Sequence, residues 1–278
     1  MLELRDYLVL IKGAGDLASG VALRLFHSGF PIVMTELPAP LMVRRTVSFG
    51  EAVNLGHIRV EDVTAVHVSD VNAAHSVLSA GGTERRIPVL VDPQAACRAL
   101  LRPTIVVDAI MAKRNLGTTL ADAPLVVALG PGFSAGVDCQ VVIETNRGHY
   151  LGRPLYQGAA EPNTGVPGNI AGKSVERLLR APASGILENR AEIGDRVVAG
   201  QVVAMVGGQA VRSEIDGVLR GLVRSGLHVT ANFKIGDVDP RAEPAHCFTI
   251  SDKALAIGGG VLEAVMGYLT QTARPAQP

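Results

Sequence analysis

The sequence predicts an α/β chain in which a mostly parallel sheet is followed by a smaller all-β domain. Three observations carry that expectation. Short apolar runs ending in turn residues recur at 7–12, 31–36, 63–69, 87–92, 104–111 and 125–130, alternating with helix-like patterns at 17–28, 70–80 and 93–102. From about residue 137 the texture changes to Gly, Pro, Asn and Thr, as in VVIETNRGHYLGRPLYQGAAEPNTGVPG. After Lys173 only short strand-like segments remain, and they repeat. Gly185-Ile-Leu, Gly194, Val197 and Gly200 are echoed 32 residues on, Gly185 to Gly217, by Gly217-Val-Leu, Gly226, Val229 and Asn232.

The first element pair is LVLIKGAGDLASGVALRLFHSGFPIVMTE, Leu8 to Glu36. An apolar run breaks into Gly13-x-Gly15-x-x-Ala18, a helical pattern follows, and the next apolar run ends on Glu36. In a nucleotide-binding βαβ unit the first glycine makes the tight turn, the second admits a pyrophosphate, and the third small residue lets helix and strand close up. The helix N-terminus supplies free N–H groups to the phosphates, and the distal acid accepts from a ribose 2′-OH. On this reading Gly13, Gly15, Asp16, Ala18 and Glu36 bind a dinucleotide, and residues 1–172 form a Rossmann-like nucleotide-binding domain. Asp16 suits the helix dipole but repels a pyrophosphate, and a packed βα turn explains the same glycines. Asp70 and Pro93 stand where helix N-terminal residues belong. Asp92 and Asp108 end later strands, at the edge where such sheets bind ligands. Asp92-Pro93 also reads as a plain helix start, and Asp108 with Lys113, Arg114 and Asn115 as either a salt-bridged turn or a cofactor contact.

Gly130-Pro131-Gly132-Phe133-Ser134-Ala135-Gly136 follows the last strand of this series and is composed to present successive N–H groups to an anion. Gly130, Gly132 and Asp138 are therefore counted with the cofactor-binding residues. Cys139, Glu144, Arg147 and His149 form the densest group of reactive side chains and are the candidate catalytic residues. Arg147 can hold a phosphate or carboxylate bidentately, His149 can move protons, Glu144 can orient either, and Cys139 offers a thiol. A solvated loop of ordinary ion pairs, with Cys139 turned into the core, is the competing reading. No zinc-ligand spacing or Ser/His/Asp order is specified, and no metal is assigned.

Residues 173–250 predict a two-fold sandwich of interlocked hairpins, because each repeat is too small to bury its own apolar face. APASGILENRAEIGDRVVAGQVVAMV resembles the lipoyl/biotinyl barrel-sandwich module, with its G-D-x-V-x-x-G-Q turn. Carrier modules place a modifiable lysine at the hairpin tip, and this chain has no lysine between Lys173 and Lys234. The resemblance therefore implies a structural relative and not a cofactor carrier. Lys234-Ile-Gly-Asp237-Val-Asp239-Pro-Arg241 closes the repeat as a charged hairpin or a further site. Residues 251–278, with Ile257-Gly-Gly-Gly-Val, predict a glycine-rich helix packing back on the first domain.

Lys+Arg and Asp+Glu each number 26, so the chain lacks the basic excess that phosphate-backbone binding requires, and no nucleic acid partner is expected. The mean hydropathy of +0.28 comes from many short runs, none near the roughly 20 apolar residues of a membrane span. No membrane association is expected. MLELRDY lacks a basic leader region, and Cys97, Cys139 and Cys247 stand far apart without CxxC spacing. The expected compartment is the cytoplasm, and self-association as a homo-oligomer is left open.

GAGDLASGVALRL, VMTELPAPLMVRRTVSFGEAV, GPGFSAGVDCQVVIETNRGHYLGR, GAAEPNTGVPG, KIGDVDPR and CFTISDKALAIGGGVLEA together resemble the selenium-dependent molybdenum hydroxylase accessory family, YqeB type. The resemblance spans nearly the whole chain and carries no catalytic residue across. It implies a role in maturing molybdenum hydroxylases, which would be the clients. The ligand it suggests is a nucleotide-bearing one, NAD or molybdopterin dinucleotide. An NAD-dependent oxidoreductase using His149, and a non-enzymatic assembly scaffold, are the alternatives.

Overall fold

The computed structural model describes residues 3–80, 84–165 and 168–272; Val166 and Pro167 of the GVPG motif, and 273–278 of the C-terminal segment, lie outside the described residues. The chain forms two compact units. Unit 1 comprises Met1–Pro38, Phe49–Asn163 and Ile250–Pro278; unit 2 comprises Ala39–Ser48 and Thr164–Thr249. Residues 39–48, read from the sequence as part of the first domain, belong to unit 2.

Unit 1 is built on strands β1 (Val9–Lys12), β2 (Ile32–Glu36), β3 (His57–Val60), β4 (Val63–Val68), β5 (Ile87–Val91), β6 (Ile105–Asp108) and β7 (Leu125–Leu129). The short β8 (Ser134–Ala135), β9 (Val141–Ile143), β10 (Pro154–Leu155) and β11 (Gly158–Ala159) follow. Nine of them form one sheet in the order β10-β9-β7-β6-β1-β2-β5-β4-β3, and β8 pairs with β11 apart from it. The inner pairings are parallel, as in Leu10 opposite both Val33 and Val106. The outer pairings, β3 with β4 and β9 with β10, are antiparallel. Alternation along the strands sends Leu10, Val33, Val106, Val126 and Val142 into one core cluster. Both faces are covered, which is why the central strands read as continuous apolar runs.

The helices of unit 1 are α1 (Asp16–His27), α2 (Ala52–Leu55), α3 (Val71–Ser79), α4 (Arg98–Leu101) and α5 (Asp252–Thr272). Asp70 caps α3, its carboxylate accepting from the Ala73 N–H at 2.9 Å. Close packing joins α1 to α5. A Cβ on Gly20 would lie 2.6 Å from the Ala254 Cβ, and one on Gly258 would lie 2.6 Å from the Gly20 carbonyl oxygen. Because 20 meets 254 and 24 meets 258, the two helices run in the same direction, with their first turns side by side. Gly260 faces the Gly152 carbonyl in the same way. Gly258 and Gly260 of the glycine run in α5 are therefore contact points, and their helix-propensity cost is borne for close approach, whereas Gly259 meets no neighbour within 4 Å.

The expected Rossmann-like, mostly parallel sheet followed by a lipoyl/biotinyl-like barrel-sandwich is corrected to a mixed α/β architecture with a large mixed sheet. Helices cross between β1 and β2 and between β4 and β5, but only four-residue α4 lies between β5 and β6, and no α-helix connects β6 to β7 or β7 to β9. Those connections lack the 3.6-residue apolar period that would form a crossover helix. A helix from the far end of the chain, α5, packs beside α1 instead.

Unit 2 contains β12 (Leu178–Arg180), β13 (Gly185–Asn189), β14 (Arg196–Val197), β15 (Val202–Val206), β16 (Gln209–Arg212), β17 (Gly217–Leu222), β18 (His228–Val229) and β19 (Lys234–Asp239). They form two four-stranded sheets, β12-β19-β17-β14 and β16-β15-β13-β18. The 32-residue repeat pairs reciprocally: Gly185 stands opposite Val229, and Gly217 opposite Val197. Gly226 N–H donates to Leu187 and Gly194 N–H to Leu219, at 2.7 and 2.9 Å. Unit 2 is not confined to the single 173–250 segment expected, since Val43 of the 39–48 strip packs on its core and accepts from the Leu222 N–H.

Candidate functional site

The carboxyl ends of β1, β2, β6 and β7 carry most of the candidate residues. At the end of β1, Gly13 takes φ +87°, a conformation that favours glycine, and its missing Cβ admits the Ala109–Ile110 backbone at 3.1 Å. Gly15 is the N-cap of α1, and a Cβ placed on it meets nothing within 4 Å. It is half-buried and borders open space. Ala18 is buried against the sheet, so the small residues divide the tasks of turning, admitting and closing.

Glu36 is spent differently from the sequence expectation. Its Oε2 accepts from the Ala14 N–H at 2.9 Å and its Oε1 from the Leu37 N–H at 2.8 Å. Burial raises its pKa, against the lowering effect of these two bonds. Glu36 therefore fixes the glycine turn to β2, and a ribose hydroxyl would have to share its oxygens, each of which can accept a second bond.

Asp108 is 1% exposed and does not face a ligand unaided. The Lys12 ammonium lies 3.5 Å from Asp108 Oδ2 and donates to the Thr118 hydroxyl, which in turn donates to Asp108 Oδ2. The Ile110 N–H donates to Oδ1. This buried Lys12–Thr118–Asp108 group pins the 109–119 loop to the sheet beside Gly13. Sequence reasoning missed Lys12 and Thr118, although a lysine ending the apolar run LVLIK was a signal. Asn115 continues the tie, donating to the Thr118 carbonyl and to Asp138 Oδ1. Asp138 also accepts from the Ser134 N–H at 2.7 Å, so it braces the glycine loop from within.

At Gly130 and Gly132 of the 130–136 loop, the space a side chain would take is occupied by neighbouring residues, while at Gly136 it is open. A Cβ on Gly130 would lie 2.3 Å from the Thr145 hydroxyl oxygen, and one on Gly132 would lie 2.6 Å from the Arg114 backbone. These glycines serve close packing. Cys139 is fully buried in the core, and burial, with the charge of Asp138 and a smaller push from Asp108, raises its thiol to about 12. At neutral pH it stays a thiol, which removes it from the candidate nucleophiles.

Glu144 is buried and accepts from the Asn146 and Glu161 N–H groups at 2.6 and 2.7 Å, tying two loop segments together. Arg147 is bidentate on Asp252 at the first turn of α5, at 2.7 and 3.2 Å. His149 lies exposed, its ring edge-on to Tyr150 at 5.0 Å. Lys253 sits nearby: burial depresses its pKa, Arg147 adds to the effect, and Asp16, Glu144 and Asp252 oppose it. The structure thus brings Asp16, Glu144, Arg147, Asp252 and Lys253 to the paired first turns of α1 and α5, and leaves Cys139 in the core. Among the described residues no group of three or more His, Cys, Asp or Glu side chains is placed to hold a metal ion.

The fold and site define a mixed α/β protein with a glycine turn that borders open space at the carboxyl edge of its sheet. The chain belongs to the YqeB family: it is 51% identical to the YqeB protein of Escherichia coli strain K12 over 264 residues, 95% of this chain and 48% of that protein. It spans about half the length of this curated relative. No family model matches the chain. Among solved structures it resembles an aspartoacylase family protein from Mesorhizobium loti, with 16% identity, 84% of each chain covered and a TM-score of 0.27. It also resembles the ectoine utilization protein EutE from Ruegeria pomeroyi, with 12% identity, 84% of each chain covered and a TM-score of 0.25. At these TM-scores the likenesses carry no argument about fold or activity.

Proposed function

We propose that this chain is an accessory protein in the maturation of molybdenum hydroxylases, including selenium-dependent ones, and that unit 1 binds a dinucleotide-type ligand, NAD or molybdopterin dinucleotide. The observation that supports ligand binding most strongly is the open space in front of Gly15, at a helix N-cap and at the carboxyl edge of parallel strands, where phosphates are received. The pathway itself rests on the motif resemblance. The proposed roles are phosphate contact by the 13–16 turn, ribose contact by a shared Glu36 oxygen, and support of the turn by Lys12, Asp108 and Thr118.

The test is activation of a molybdenum hydroxylase co-expressed with variants. Gly15→Val is expected to abolish activation, because its side chain occupies the phosphate space while the extended backbone at φ −70° accepts a valine. Cys139→Ser is expected to keep activation wherever the protein folds. Full activation by Gly15→Val would overturn the proposal, and loss with a folded Cys139→Ser would return the thiol to the mechanism.

A further inference from the structure

The ends of α1 and α3 enclose a cavity of about 140 Å³ in unit 1. It lies where Ile32 opens β2, between Phe26 near the end of α1 and Val77 to Ala80 at the end of α3. Because β1 and β2 run parallel, this is the amino edge of the sheet, opposite the edge that carries the Gly13–Gly15 turn. An apolar cavity of about 150 Å³ holds a benzene ring. The space at this edge therefore suits one ligand of that size.

Its wall has two chemistries. Phe26, Ile32, Val77 and Leu78 supply an apolar side, and Arg5, Arg85 and Arg86 supply three guanidinium groups; no carboxylate is among the described residues that line it. Arg85 is held in place, stacked over the Phe26 ring at 4.2 Å and donating to the Phe26 and Phe30 carbonyl oxygens at 3.2 and 2.9 Å. Those bonds use two of its five N–H donors and leave three. Burial lowers the Arg85 pKa, and the charge of Arg5 adds to the effect, so the cations act on one another. Among the described residues the guanidinium groups of Arg5 and Arg86 are engaged in no ion pair or hydrogen bond. Like charges beside an apolar wall repel with little screening, and an anion between them relieves that repulsion. An inorganic oxyanion answers the arginines but sets hydrated oxygens against the apolar side. A carboxylate matches the planar guanidinium fork and brings a hydrocarbon part for the rest of the cavity. We propose that this cavity binds a small carboxylate on an apolar body, its oxygens accepting from Arg5, Arg86 and the remaining N–H groups of Arg85, its hydrocarbon part against Ile32, Val77 and Leu78. The site is separate from the dinucleotide site proposed at the opposite edge.

The experiment is calorimetric titration of the whole chain at pH 7 and constant ionic strength with benzoate, with benzamide, which has the same shape without the charge, and with phosphate, which has charge without the apolar body. Benzoate is expected to fill one site per chain and to bind about tenfold or more tighter than either of the others, since charge-assisted hydrogen bonds are the stronger ones and only benzoate also buries a ring. Arg5 and Arg86 are exposed, so the double variant Arg5→Gln/Arg86→Gln is expected to fold and to weaken benzoate by about tenfold or more. Gly15→Val, at the other edge of the sheet, is expected to bind benzoate as the wild type does. Absence of a saturable benzoate site, benzamide or phosphate binding as tightly as benzoate, unchanged affinity in the double variant, or loss of the site in Gly15→Val each overturns the proposal. Should the double variant not fold, Arg86→Gln decides by the same comparison, with weakened benzoate binding in support and unchanged binding against.

Discussion

Lys12 ends an otherwise apolar strand and is buried with Asp108, where the two charges are matched by each other, by the Thr118 hydroxyl and by the Ile110 N–H. Removing one member of such a pair leaves the other desolvated and unpaired, at a cost on the order of 3–5 kcal/mol. Lys12→Met is therefore expected to lower the denaturation midpoint steeply, and Lys12→Met combined with Asp108→Leu to recover part of the loss. An unchanged midpoint for Lys12→Met in urea unfolding would show that the pair does not stabilise the loop. At this scale the sequence was a partial guide. Asp108 was recognised as an acid at a strand end, but its partner lay 96 positions earlier, and no local pattern pairs residues that meet only through the sheet register, Lys12 opposite Asp108. Cys139 was ambiguous for a related reason: Val137 is exposed and Val141 buried, so alternation alone did not decide its side.

The central strands and α1 and α3 are legible in the sequence because apolar period and punctuation agree, as at Asp70. The glycine run in α5 is legible as glycine but not as a contact, because its meaning depends on Gly20 in a helix far along the chain. Gly20→Ala tests that contact. The new methyl would meet Ala254 at 2.6 Å and its carbonyl oxygen at 2.7 Å, so the helices must part. Although alanine favours helix in isolation, the overpacking is expected to cost about 1–3 kcal/mol. Urea unfolding checks it, and a stabilised Gly20→Ala would mean that α1 and α5 are not in close contact. The 130–136 loop teaches the complementary lesson. Glycines composed like a nest turned out to admit Thr145 and the Arg114 backbone, and composition does not reveal what approaches a missing Cβ.

On the scale of the whole molecule, equal numbers of acids and bases conceal local imbalance, as in the three arginines that line the unit 1 cavity. In unit 2, Asp239 is paired with Arg241 and Arg220. Burial opposes its charge, but the hydrogen bonds and charge of Arg241, with Arg220, lower it from 3.8 to about 2. A depressed carboxylate contributes stability above its unfolded pKa and loses it as pH falls through the folded value. Stability of the wild type is thus expected to fall by on the order of 2 kcal/mol from this group between pH 4 and pH 2. Asp239→Asn should show a shallower acid limb in denaturant midpoints, and parallel limbs would remove Asp239 as the cause. The repeat in unit 2 was readable, whereas the mixed sheet and the recruitment of residues 39–48 were not, since both depend on which distant segments share a core. The central claim is that the Gly13–Gly15 turn receives a dinucleotide-type ligand, and calorimetric titration tests it most directly. Wild type is expected to bind NAD or molybdopterin dinucleotide at one site per chain, and folded Gly15→Val to bind neither. Binding of equal strength by both proteins, or by neither, would contradict it.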